Sequence, residues 1–146
     1  MANVGNFQRL RSMSTGSNVI NGPDSSRSGV INLISGATTV TLPLAIEGLY
    51  FKFFLTANIT SATALVLKTH GTAKIGGLIV ASQGANLRET LQAATAANNT
   101  ILTIGSSNND VLAGSYVDVF CDGTNWHVNG HVAGDNTDIT ASAFSS

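Results

Sequence analysis

Phe120-Cys121-Asp122-Gly123-Thr124-Asn125-Trp126-His127-Val128 is the stretch that decides the fold class. Two alternating apolar runs meet there at Asp-Gly, where the glycine accepts positive φ and the aspartate hydrogen-bonds its own turn. This is hairpin chemistry. It puts Trp126 and Val128 on one face of the returning strand and His127 and Asn129 on the other. Upstream, Leu49, Phe51, Phe53 and Leu55 alternate with Tyr50, Lys52 and Phe54, so this run is apolar on both sides and reads as a central strand. Further short β-branched or aromatic runs cover Gly29 to Ile34, Thr38 to Leu42, Ala64 to Thr69, Lys74 to Ala81, Thr100 to Ile104, Ser115 to Cys121 and Asn125 to Val132, with a shorter run at Asp138 to Ala141. Gly, Asn, Asp and Ser clusters separate them, and Pro43 closes one. Leu87 to Ala97 has both strand-fragment and helix-forming character. The pattern predicts an all-β chain: one small β-sandwich, jelly-roll-like, in which no fixed-period repeat stands out.

The 146 residues suffice for one domain with its own core. Hydrophobic residues make up 43%, enough for that core, whereas charged residues are only 10% against a usual value of about 25%. Ser, Thr, Asn and Gly must therefore build much of the surface. With a net charge of −1, repulsion between copies does little to oppose self-association. Seven Lys and Arg in all, at a pI near 6.2, do not supply the clustered basic footprint of a direct nucleic-acid binder. No stretch approaches the roughly 20 apolar residues of a membrane span, and no basic-then-apolar leader opens the sequence. The expectation is assembly in a cytoplasm.

Catalytic chemistry needs an acid, base or nucleophile held against a partner, and the supply is thin: three His, one Cys and eight Asp and Glu. Cys121 lies inside an apolar run and reads as a small core residue; alone, it forms no intrachain disulfide. His127 and His131, four apart on a strand, share a face and form at most half a metal site, the other reading being two solvent-facing or interface histidines. Glycines 71, 76, 77 and 84 fit no phosphate-binding pattern and read as turns and bulges. Trp126, Tyr50 and Tyr116 are the rings suited to stacking on a sugar, against a buried place for the tryptophan in the core. The expectation is a protein that is not an enzyme and uses no cofactor.

Residues 1–28 are polar and read as an N-terminal arm ahead of a domain at 29–133 and a tail at 134–146. Arg9, Arg11 and Arg27 against Asp24 make the arm locally basic. It either stays a solvated terminus or orders on a partner through Phe7, Leu10 and Met13, an apolar stripe flanked by those arginines. Phe7, Arg9, Leu10, Arg11, Met13 and Arg27 are accordingly the candidate partner contacts.

Ser35-Gly36-Ala37-Thr38-Thr39-Val40-Thr41-Leu42-Pro43, Gly48-Leu49-Tyr50-Phe51-Lys52-Phe53 and Asp122-Gly123-Thr124-Asn125-Trp126-His127-Val128-Asn129-Gly130 together resemble small structural proteins of tailed bacteriophages. The resemblance spans roughly Gly29 to Val132 and leaves the arm and tail unmatched. It implies a virion component, on the capsid surface as a decoration or cement protein bound to the major capsid protein, and commonly a homotrimer. Similar strings occur in modules of tail fibres, so a receptor- or glycan-binding module is the alternative. A short chain of one arm and one domain, without a repeat or coiled coil, favours cement.

Overall fold

Each of the well-patterned runs becomes a strand that buries one of its two faces. In β3 (Val30–Ile34) the buried residues are Val30, Asn32 and Ile34, and in β5 (Tyr50–Leu55) they are Phe51, Phe53 and Leu55. The same alternation buries Val117, Val119 and Cys121 in β10 (Tyr116–Cys121) and Trp126, Val128 and Val132 in β11 (Trp126–Gly134). Opposite them lie Val40 of β4 (Thr38–Thr41), Leu65 and Leu67 of β6 (Leu65–Lys68), and Leu102 and Ile104 of β9 (Ile101–Ile104). These two inner faces make a single core, in which the Phe51 and Trp126 rings lie 5.9 Å apart. The structure is a computed structural model that describes residues 10–20, 28–60, 63–83, 88–93, 98–105, 110–134 and 144–146, with residues 83 and 88–93 described by backbone alone.

The other named strands are β1 (Leu10–Met13), β2 (Gly16–Val19), β7 (Ile75–Gln83), β8 (Arg88–Ala93) and β12 (Phe144–Ser145). Among the described residues, one sheet has seven strands in the order β1-β3-β5-β10-β11-β7-β8, the other five in the order β12-β9-β6-β4-β2. The fold is thus the expected all-β sandwich. Its connections differ from a jelly roll, which is built from antiparallel strands. From β1 to β6 the chain passes alternately between the two sheets, so that β1, β3 and β5 run parallel in one and β2, β4 and β6 run parallel in the other. The result is three stacked coils. Among the named strands of the described residues, antiparallel pairing enters with β9 and β12 in the smaller sheet and with β10, the β10–β11 hairpin and the β7–β8 hairpin in the larger.

The arm expected over 1–28 needs correction. From Leu10 to Ile20 it is the first coil of the sandwich: β1 pairs with β3, β2 pairs with β4, and Met13 and Ile20 are buried at 4% and 2% exposure. Backbone pairing holds these polar strands, and only two inward apolar side chains mark them. The expected tail likewise contributes β12, which pairs with β9 and packs Phe144 against the core. The short run at 138–141 lies outside the described residues.

Gly77 sits inside β7 with φ +139, and a Cβ there would lie 2.0 Å from the Val128 carbonyl oxygen. The glycine lets β7 and β11 approach. Buried Asn32 is accommodated because its amide donates to the Lys52 carbonyl at 3.2 Å.

We expect Trp126→Ala to cost roughly 3–5 kcal/mol in urea denaturation, the range for emptying a buried aromatic site, and Gly77→Ala roughly 2–3 kcal/mol through overpacking and strain. Deletion of residues 1–20 removes two core side chains and two edge strands, and should lower the thermal midpoint by about 10 °C. An unchanged midpoint in calorimetry would restore the arm reading.

Candidate interaction face

Side chains alternate, so burial of Phe51, Phe53, Val117 and Val119 turns the intervening residues of β5 and β10 outward. On β5 these are Tyr50, Lys52 and Phe54; on β10 they are Tyr116, Asp118 and Phe120. The antiparallel register sets Tyr50 opposite Phe120, Lys52 opposite Asp118 and Phe54 opposite Tyr116. Each strand therefore presents aromatic, charge, aromatic, and the two charges are opposite. Leu33 of β3 and Val80 of β7 extend the row that holds Phe54 and Tyr116, while Leu10, Ile31 and Leu78 extend the row of the charges. Tyr50, Phe54 and Tyr116 are half-buried, and Phe120 is 48% exposed. The outward side of the smaller sheet is more hydroxylated, with Ser17, Thr39, Thr41 and Thr103 beside Val66, Ile101 and Lys68.

A polar knot holds the middle of the larger face. Asp118 accepts a short hydrogen bond from the Tyr50 hydroxyl through Oδ1, while its Oδ2 lies 3.3 Å from Lys52 Nζ. That ammonium also sits 4.4 Å from the centre of the Tyr116 ring, a cation–π distance. Burial, then the hydrogen bond to Asp118 and the negative charge of that carboxylate, push the Tyr50 hydroxyl up to about 12. Both charges are thus paired within the sheet, with their side chains still 27% and 22% exposed.

The hairpin forms one border of this face. Asp122 Oδ1 accepts from the Thr124 and Asn125 amides at 2.8 and 2.7 Å, the turn bonding expected of it, and Gly123 has φ +96. Asp122 Oδ2 lies 2.7 Å from His127 Nε2, and the His127 ring stacks on Phe120 at 5.1 Å. His127, first, and then the two amides hold the Asp122 carboxyl well below the usual carboxylate range.

His127 and His131 do share an outward face of β11, but they have separate partners, Asp122 for one and Ser82 for the other. Among the described residues no group of three or more His, Cys, Asp and Glu is placed to hold a metal ion. Cys121 is buried, as expected of a small core residue. Trp126 is fully buried, so it is withdrawn from any sugar-stacking role. At one end of the sandwich, Leu44, Ile46, His70 and Thr124 border a shallow hollow of about 560 Å³.

Of the candidate partner contacts, Phe7, Arg9 and Arg27 lie outside the described residues. Leu10 is 66% exposed at the sheet edge, Arg11 is half-buried, and Met13 is in the core. Leu10 and Met13 therefore form no common stripe: three residues along a strand puts them on opposite faces. The residues missed were the outward ones of β5 and β10. Their signal was present as two aromatic-charge-aromatic triplets spaced by two, Tyr50-Lys52-Phe54 and Tyr116-Asp118-Phe120.

No family model matches the chain, and neither a curated protein nor a solved structure matches it.

Neutral Tyr50 is favoured by the fold, so its contribution to stability is complete below the ordinary tyrosine value of 10.0 and is lost as pH rises from there through about 12. We expect tyrosinate absorbance to show a step near 12 that vanishes in Tyr50→Phe. In Asp118→Asn the step should move down only part of the way, because burial, the larger cause, remains.

Proposed function

We propose that the protein is a non-enzymatic structural component of a virus particle, seated on the outside of the capsid, where it stabilises the shell by bridging subunits of the major capsid protein. The reading joins the resemblance to tailed-phage structural proteins with one observation. That observation is the broad, weakly charged, aromatic outer face of the seven-stranded sheet, backed by a continuous core. A cement protein acts by burying surface across neighbouring subunits, so that shell expansion must break those contacts in addition to the shell's own; a standard interface buries about 1,600 Å² in total. Aromatic side chains suit that task, and with the Tyr50 hydroxyl and the Lys52 and Asp118 charges already paired, little of the desolvation of those three groups is left uncompensated on docking. The protein would reach the capsid surface after synthesis in the host cytoplasm.

The test is co-sedimentation with shells of its own virus from which it has been stripped. Saturable rebinding, with shells that then resist heat better than bare ones, is the expected result. Failure to rebind would remove the cement reading.

A second reading, a receptor- or glycan-binding module of a tail fibre, is favoured by the outward rings of Tyr50 and Tyr116 beside Asp118 and Asn129, a stacking-plus-hydrogen-bond arrangement suited to sugars. It requires saturable glycan binding that Tyr116→Ala abolishes without unfolding the protein. A flat titration would eliminate it.

A further inference from the structure

The register of β5 and β10 gives the outer face an approximate twofold character. Reading across the strand pair, Tyr50 is opposite Phe120, Lys52 opposite Asp118, and Phe54 opposite Tyr116. A second copy turned over about an axis that lies in the face, parallel to the strands and midway between β5 and β10, would set its β10 against this β5. Lys52 then meets the other copy's Asp118, Phe54 meets Tyr116, and Tyr50 meets Phe120. The six outward positions of this strand pair each fall on a complement, charge on opposite charge and ring on ring. The geometry points to a homodimer in which the outer faces of two seven-stranded sheets pack against each other across this axis.

Size and charge agree with this occupant. The six strands that this axis superposes, all but β8, span roughly 30 Å at about 4.8 Å spacing, and with strand lengths near 20 Å the overlap is roughly 600 Å² in plan, more once the relief of the side chains is counted. A standard interface needs about 800 Å² from each partner. Face-to-face stacking of sheets at about 10 Å and about −30° is an ordinary packing mode of sandwiches, and a twofold, self-complementary contact is the commonest form of oligomer. A net charge of −1 per chain imposes little repulsion. The pairing of Lys52 with Asp118 inside one sheet does not prevent the contact, because both side chains remain partly exposed and each charge can engage two opposite ones in a four-membered array. This inference does not rest on the capsid reading, and it draws on the same face: a dimer would meet a shell through the hydroxylated outer faces of its smaller sheets or after coming apart, and a dimer that ignores shells would leave the inference standing.

The experiment is the mass of the full chain by light scattering, followed by charge exchange. We expect a dimer at micromolar concentration, weakened roughly tenfold or more in Phe120→Lys, which alters a side chain 48% exposed. Lys52→Glu and Asp118→Lys should each be monomeric alone. Mixed, they should form a heterodimer, because the carboxylate introduced at position 52 meets the ammonium introduced at position 118 of the other chain, and the unchanged Asp118 of the first meets the unchanged Lys52 of the second. A role confined to pairing within one sheet has no means of rescue by mixing. A monomeric or trimeric wild type, a dimer indifferent to Phe120→Lys, or single variants that fold but do not combine would each overturn the proposal. Should circular dichroism show that either charge variant fails to fold, Phe120→Lys decides alone.

Discussion

Closure of two sheets over one core is the constraint from which the rest of this structure follows. Phe51, Phe53, Leu55, Val117, Val119, Trp126 and Val128 line one side of the seam, and Val40, Leu42, Leu65, Leu67, Leu102 and Ile104 belong to the other layer. A strand has only two faces, so each inward choice also selects an outward residue. Phe51 and Phe53 inside mean Tyr50, Lys52 and Phe54 outside; Val117 and Val119 inside mean Tyr116, Asp118 and Phe120 outside. A slip of one residue in β5 would carry Lys52 into the core and expose two phenylalanines, a change opposed by both hydrophobic burial and charge desolvation. The core thereby holds the outer face in register without any residue of that face contributing to the seam.

The same constraint explains how weakly apolar segments join the fold. β1 and β2 bring Met13 and the adjoining Ile20 to the core, and otherwise pair their backbones with β3 and β4. Parallel winding makes this possible, because each coil lays its two strands on the same edges as the coil before it. Within the larger sheet the register step is equal twice, from Leu10 to Ile31 to Lys52, but in the smaller sheet the steps from Gly16 to Thr38 to Leu65 differ in length. Unequal loops blur the repeat in the sequence while leaving the coils intact in space.

Much of the architecture was legible in advance where local chemistry decides it. The Asp122-Gly123 turn, the central place of β5, and the strands from β3 to β7 and from β9 to β11 follow from alternation and turn residues, which act over a few positions. β1 and β2 were read as an arm because composition averages over a segment, whereas burial depends on single residues such as Met13. The jelly-roll connection failed for a related reason: alternation says which way a side chain points and nothing about which strand lies alongside. For the candidate site, the sequence points to arginines and apolar residues of the first segment, and Leu10 alone of those within the described residues stands well exposed. The outward triplet of β5 marks no more than a central strand in the sequence, and that of β10 no more than a strand, since their meaning emerges when they are set side by side.

By itself the sequence determined the all-β class, the inward faces of most strands, the hairpin and the fate of Cys121, because these depend on a period of two and on the backbone preferences of a few residue types. Tertiary structure alone decided that the chain winds in parallel coils, that Trp126 is closed off from solvent, and that Lys52 faces Asp118 with aromatic rings on either side. Those are pairings between residues far apart in the chain, from Leu10 with Ile31 in the first coils to Lys52 with Asp118, 66 positions apart, set by the competition among strands for edges of a common core. No local pattern encodes the outcome of that competition.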